Sequence, residues 1–106
     1  MKVVYNNLIP FKGYKAINLF GIIFARKGVE LTDKELNHEA IHTAQMKEML
    51  YLFFYVWYVA EWIVRMFGSG NAYRNISFEQ EAYANAGNLN YLSGRIPYYW
   101  TKYLKR

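Results

Sequence analysis

Both histidines of the chain fall in one string of five residues, His38-Glu39-Ala40-Ile41-His42. No other feature constrains the fold as much. On a helix, residues four apart share a face one turn apart, so both imidazoles can reach one metal ion. Glu39, beside the first histidine, then lies next to the ion rather than on it, where a carboxylate can take a proton from water. The pattern therefore requires a helix through residues 38–42. The start of that helix is written just upstream. Thr32-Asp33-Lys34-Glu35 is a capping box, in which Thr32 caps the amide of Glu35 and Glu35 reaches back.

Two histidines do not complete a site. A catalytic zinc takes three protein ligands and leaves one position to water. The chain has no cysteine and no third histidine, so the third ligand must be a carboxylate. Outside the motif the acids are Glu30, Asp33, Glu35, Glu48, Glu61, Glu79 and Glu81. The first three serve the loop and the helix start. Glu48, six residues past His42, faces well round the helix. Glu61 has a partner at ion-pair spacing in Arg65. Glu79 and Glu81 remain, both near the start of a later helix. Glu81 shares a stripe with Ala84, Asn85 and Asn88, which reads as solvent-facing. Glu79 shares one with Tyr83, Ala86 and Asn90. A ligand points inward, so Glu79 is preferred, with Glu81 the alternative.

The rest of the chain reads as a single α+β domain over residues 1–106. Residues 2–6 and 16–26 are rich in β-branched and aromatic residues and predict a small N-terminal antiparallel sheet. Pro10 and Gly13 mark a loop between them, and Lys27-Gly28 ends the second strand. Helices are expected near 33–48, 49–67 and 78–91. The last of these is announced by a second capping box, Ser77-Phe78-Glu79-Gln80, is weakened at Gly87 and is ended by Gly94 and Pro97.

The run Met49–Ala60 carries no charge and is full of aromatic residues. Its twelve residues fall short of the roughly 20 needed to cross a bilayer. Residues 49–67 therefore read as a helix buried in the domain or covered by a partner. An interfacial or membrane-inserted segment is the alternative, and the chain is open to forming an oligomer. The net charge is +5, with much of the excess at the two ends. There is no dense basic stripe, so nucleic acid is not expected as a partner. The aromatic, basic C-terminus (Tyr98, Tyr99, Trp100, Tyr103, Lys102, Lys105, Arg106) also suits a membrane surface. The absence of cysteine and of a signal peptide fits a cytoplasmic location, membrane-associated if the aromatic helix docks on lipid.

With His38-Glu39-Ala40-Ile41-His42 followed by Glu79-Gln80-Glu81-Ala82-Tyr83, the chain resembles the gluzincin metallopeptidases, and by its length the minimal single-domain minigluzincins. The resemblance implies Zn2+ held by His38, His42 and Glu79. It implies Glu39 as general base and acid, and a peptide or protein as substrate. Gly21–Arg26 would correspond to the edge strand that aligns substrate, and Gln45 is common in small relatives. Many gluzincins place an aspartate four residues after the glutamate ligand. Here that position is Tyr83, whose hydroxyl could donate to a carboxylate or to the reacting oxygen. Tyr73 and Arg74 are the other candidates for stabilising an oxyanion. The rival expectation is a non-catalytic metal-binding or membrane-peripheral interaction protein that keeps the site.

Overall fold

The apolar run at residues 16–26 forms two strands, not one. It folds back at Phe20-Gly21, where both residues have positive φ, 54° and 88°. Two consecutive positive-φ residues make the tight turn whose twist suits a hairpin. Gly21 meets that requirement without a Cβ, while Phe20 stacks on Tyr55 at 5.0 Å between ring centroids. The computed structural model describes residues 2–6 and 15–104. The loop expected at Pro10 and Gly13 lies outside the described residues.

Among the described residues there are three strands, β1 (Lys2–Asn6), β2 (Ala16–Leu19) and β3 (Ile22–Arg26). They are followed by helices α1 (Asp33–Glu48), α2 (Leu52–Met66), α3 (Ala72–Asn75), α4 (Ser77–Asn85) and α5 (Tyr91–Gly94), and a 3-10 helix at Tyr99–Tyr103. The fold is α+β, as expected. The sheet is mixed rather than wholly antiparallel. Its order is β1-β3-β2, with β2 antiparallel and β1 parallel to β3. The hairpin uses one edge of β3, and β1 pairs with the other. This also corrects the expected edge strand: β3 is central, and β2 is the edge nearest α1. Asn18 of β2 fastens that edge to α1, donating to the Glu39 carbonyl and to Thr43 Oγ1, both at 3.0 Å.

The box that starts α1 forms as expected. Thr32 Oγ1 accepts from the Glu35 amide at 3.1 Å, and Glu35 Oε1 accepts from the Thr32 amide at 3.0 Å. The helix stops where Leu50 and Tyr51 both turn to positive φ. The chain leaves in a new direction, α2 bending from α1 by 110°.

The second expected box does not form. Ile76 is the N-cap of α4 and Ser77 its first residue. The Ser77 amide and hydroxyl instead donate to Glu61 of α2, at 2.8 and 2.6 Å. A buried carboxylate from another helix thus takes the capping role and supplies the negative charge that a helix N-terminus favours. Glu61 also pairs with Arg65 at 3.3 Å, as the spacing predicts. Helix α4 ends at Asn85, short of the expected residue 91. There Asn37 of α1 donates to the carbonyls of Ala86 and Asn88, at 2.9 and 2.8 Å, and satisfies groups that the helix leaves open.

Met46, Phe54, Ile76, Phe78 and Trp100 form the core cluster. The aromatic tail is therefore partly interior, with the Phe78 and Trp100 rings 4.6 Å apart. Beyond α5, Arg95 ties the tail to two helices. Its guanidinium bonds Glu81 of α4 at 2.6 Å and Glu48 of α1 at 2.9 Å. All three side chains are buried, and Glu81 is wholly so. Removing the cation would leave two buried carboxylates without their counter-charge. Arg95→Met is therefore expected to cost about 3–5 kcal/mol of stability. The midpoint of urea unfolding, compared at unchanged slope, measures it.

Candidate metal centre

The capping box sets the phase of α1, and that phase turns His38, His42 and Gln45 toward α4. The two imidazole centroids lie 4.8 Å apart. Glu79, in the first turn of α4, meets them. His42 Nε2 lies 3.1 Å from His38 Nε2 and 3.1 Å from Glu79 Oε1. His38 Nε2 lies 3.3 Å from the same oxygen. Ligand atoms 2.0–2.1 Å from one ion at tetrahedral angles stand roughly 3.3 Å from each other. The three donors are thus spaced like three corners of a tetrahedron. Together they form a group that could hold a metal ion.

Each donor is held from behind. Gln45 Oε1 lies 2.8 Å from His42 Nδ1, so Nδ1 donates and Nε2 is left for the ion. The Gln45 amide is itself fixed, because its Nε2 donates to the Phe78 carbonyl at 3.1 Å and to Glu81 Oε1 at 2.8 Å. Glu81 also accepts from Tyr91 and Arg95, both at 2.6 Å. The hydroxyl of Tyr58 on α2 donates to Glu79 Oε2 at 2.7 Å. The His38 ring packs against that of Tyr83, centroids 4.5 Å apart.

The electrostatics follow from this packing in the metal-free protein. Burial alone would raise Glu79, but the charge on His42 and hydrogen bonds from His38, His42 and Tyr58 hold it well below the usual carboxylate range. Burial would lower His42, yet the charge and hydrogen bond of Glu79, helped by Glu39, push it up to about 9. Glu39 behaves in the opposite way to Glu79. Its burial outweighs the pull of the two histidines, and its carboxyl is raised. Burial likewise raises Tyr58 and Tyr73, so both hydroxyls stay protonated donors.

A cavity of about 480 Å3 opens beside the cluster. Its walls include all four residues of β2, together with Glu39, His42 and Glu79. Phe54, Tyr55 and Tyr58 of α2 line it as well.

His38, Glu39, His42 and Glu79 therefore come together, as the motif requires. Glu81 is not solvent-facing. It is wholly buried, because Arg95 and Tyr91 fold over the face that the helix pattern leaves open. Tyr83 has its ring on His38, while its hydroxyl lies 3.4 Å from that of Tyr73. Arg74 stacks 3.7 Å above the Tyr83 ring centroid. Tyr58 was not singled out from the sequence. The signal was there: Tyr55, Tyr58, Glu61 and Arg65 are the hydroxyl and charged residues of α2, and their spacing puts them on one stripe. No protein-family model, curated protein or solved structure matches the chain.

The two glutamates should separate on substitution. Glu79→Ala should lose bound metal, while Glu81→Gln, which reaches the site only through Gln45, should weaken binding without abolishing it. Gln45→Leu removes the acceptor that orients His42 and should weaken metal binding about 10–100-fold. Competition titration against a chelator reads all three.

Proposed function

We propose that the chain is a zinc-dependent peptidase of gluzincin type, with His38, His42 and Glu79 as ligands and Glu39 as general base and acid. One observation carries this reading. Three donors at tetrahedral spacing are joined by no fourth donor among the described residues, and Glu39 lines the same cavity as His42 and Glu79. Structural zinc sites take four protein ligands, whereas catalytic ones take three. Two histidines with one carboxylate is a familiar catalytic zinc set, and the ion bound there would acidify water and polarise a carbonyl.

The chain's own residues supply the rest. Glu39, made more basic by burial, is suited to take a proton from the attacking water and pass it to the leaving amine. Gln45 keeps Nε2 of His42 free by holding its Nδ1 proton. Tyr73 lines the same cavity with a hydroxyl kept protonated, and is the stronger oxyanion donor on these grounds. Tyr83 supports His38 through its ring. Edge strand β2 borders the cavity along its whole length, which suits an extended peptide pairing through main-chain hydrogen bonds. Leu19, Met46 and Phe54 offer an apolar lining for one substrate side chain.

Glu39→Gln keeps the shape and removes the base. Zinc content should stay at wild type, while peptide hydrolysis should fall by a factor on the order of 10²–10⁴. A mixed pool of unstructured peptides, scored for new termini by mass spectrometry, provides the assay. Unchanged turnover in this variant would rule out the mechanism.

Zinc binding should also release protons. With His42 pushed up to about 9, the metal-free protein carries a proton on it at pH 7. A metal takes only the neutral ring, so binding at pH 7 should release about one proton and tighten as pH rises toward 9. Calorimetry in buffers of differing ionisation enthalpy measures the proton count.

A further inference from the structure

Helix α2 is amphipathic in reverse. Its hydroxyl and charged groups point into the domain, where Tyr55 bonds the β2–β3 turn, Tyr58 bonds Glu79, Glu61 caps α4 and Arg65 bonds the Leu104 carbonyl. Its outer face is apolar. Leu52, Phe53, Val56, Val59 and Ile63, with Phe67 just beyond the helix, are 51–89% exposed. Of the two expectations for residues 49–67, burial within the domain is thus corrected: on α2 itself only Phe54 and Glu61 are buried. Soluble surfaces rarely leave so continuous an apolar face to water.

We propose that this face docks on an anionic lipid bilayer, with α2 lying in the plane of the interface. Charge complementarity selects this occupant over a second copy. The chain carries +5, and pairing two copies through one face would bring like charges together. Four of the eight acids have also been drawn inward, while Glu30 and Asp33 stay exposed near the start of α1 rather than on α2. The side chains of Glu48, Glu61, Glu79 and Glu81 are at most 9% exposed, whereas Lys27, Lys34, Lys47 and Lys102 stand at the surface. Two of these cations sit on segments that adjoin α2. Lys47 lies in the last turn of α1, just before α2 begins. Lys102 follows Trp100, whose ring lies 5.6 Å from that of Trp57 on α2. Trp57 and Trp62 are 43% and 45% exposed on this helix, and indole is the side chain best suited to the headgroup level.

Length argues for lying in the interface rather than crossing it. The 15 residues of α2 reach roughly 22 Å, against about 30 Å for the hydrocarbon core. No single helix among the described residues is long and apolar enough to cross a membrane. An interfacial helix needs only to sink its apolar face about 5–10 Å into the headgroup boundary.

Co-sedimentation of the full chain with vesicles tests this. One set is phosphatidylcholine alone, and the other adds phosphatidylglycerol. Wild type should pellet with the anionic vesicles, and raised salt should weaken that binding. Lys47→Gln with Lys102→Gln should weaken it roughly 25-fold, at about a fivefold loss per cation. Val56→Asp with Ile63→Asp, both at exposed positions, should abolish it while circular dichroism stays that of wild type. Tryptophan emission of the wild type should be quenched by bromine-labelled acyl chains, a readout that needs no variant. Failure to pellet with either vesicle, pelleting of the aspartate variant as strong as wild type, or absence of quenching would each overturn the proposal. So would a lipid-free dimer, seen by sedimentation velocity, that the aspartate variant splits.

Discussion

The buried carboxylate of Glu81 is the point on which the site depends. A charge taken out of water must be paired and fully hydrogen-bonded, or the fold cannot hold it. Gln45, Tyr91 and Arg95 supply those bonds, and they come from α1, α5 and the segment after α5. Satisfying one carboxylate therefore draws the tail over α4, sets α4 against α1 and orients the Gln45 amide. That amide in turn fixes the tautomer of His42. The depressed pKa of Glu81 reflects this arrangement: burial raises it, but the bonds from Arg95, Gln45 and Tyr91 bring it below the ordinary value.

What could be read from the sequence was local, and what could not was long-range. The histidine pair and the helix under it are set within eleven residues, from Thr32 to His42, by a capping box and a spacing of four. Both formed as expected. Glu61 and Arg65 likewise needed nothing beyond their own helix. The Ser77 box failed because a stronger acceptor, the Glu61 carboxylate, arrives from sixteen residues away. Glu81 was misread for the same reason. Its stripe of Ala84, Asn85 and Asn88 looks polar and outward, and only the return of the chain at Arg95 makes it interior. The hairpin turn was hidden because Phe20 is an unusual residue at positive φ. It is held there by Tyr55, whose hydroxyl accepts from its amide at 3.0 Å.

The position of Tyr83 acquires a physical account from this arrangement. In the gluzincin pattern, an aspartate four residues after the glutamate ligand orients a histidine by accepting its proton. Here the proton of His42 Nδ1 goes to a neutral amide on the same helix, three residues on. A neutral acceptor orients the ring as well as a carboxylate does, but adds no charge. The anionic character behind His42 comes one bond further back, from Glu81. Tyr83 instead places its ring against one side of His38.

A chain of 106 residues has too little interior to keep structural and chemical tasks apart. Helix α2 shows the consequence. Its inner stripe caps α4 through Glu61, steadies the metal-ligand candidate Glu79 through Tyr58 and walls the cavity with Phe54 and Tyr55. Every hydroxyl and charged group that the helix owns has an inward partner, Arg65 bonding Glu61 and the Leu104 carbonyl. Turning any of them outward to improve solubility would leave Ser77, Glu79, the β2–β3 turn or the Leu104 carbonyl without that partner. The outer positions carry none of these tasks, and they are apolar. Covering that face from outside leaves each inner contact in place, so docking and the chemistry of the site can be served by one helix without competing for the same side chains.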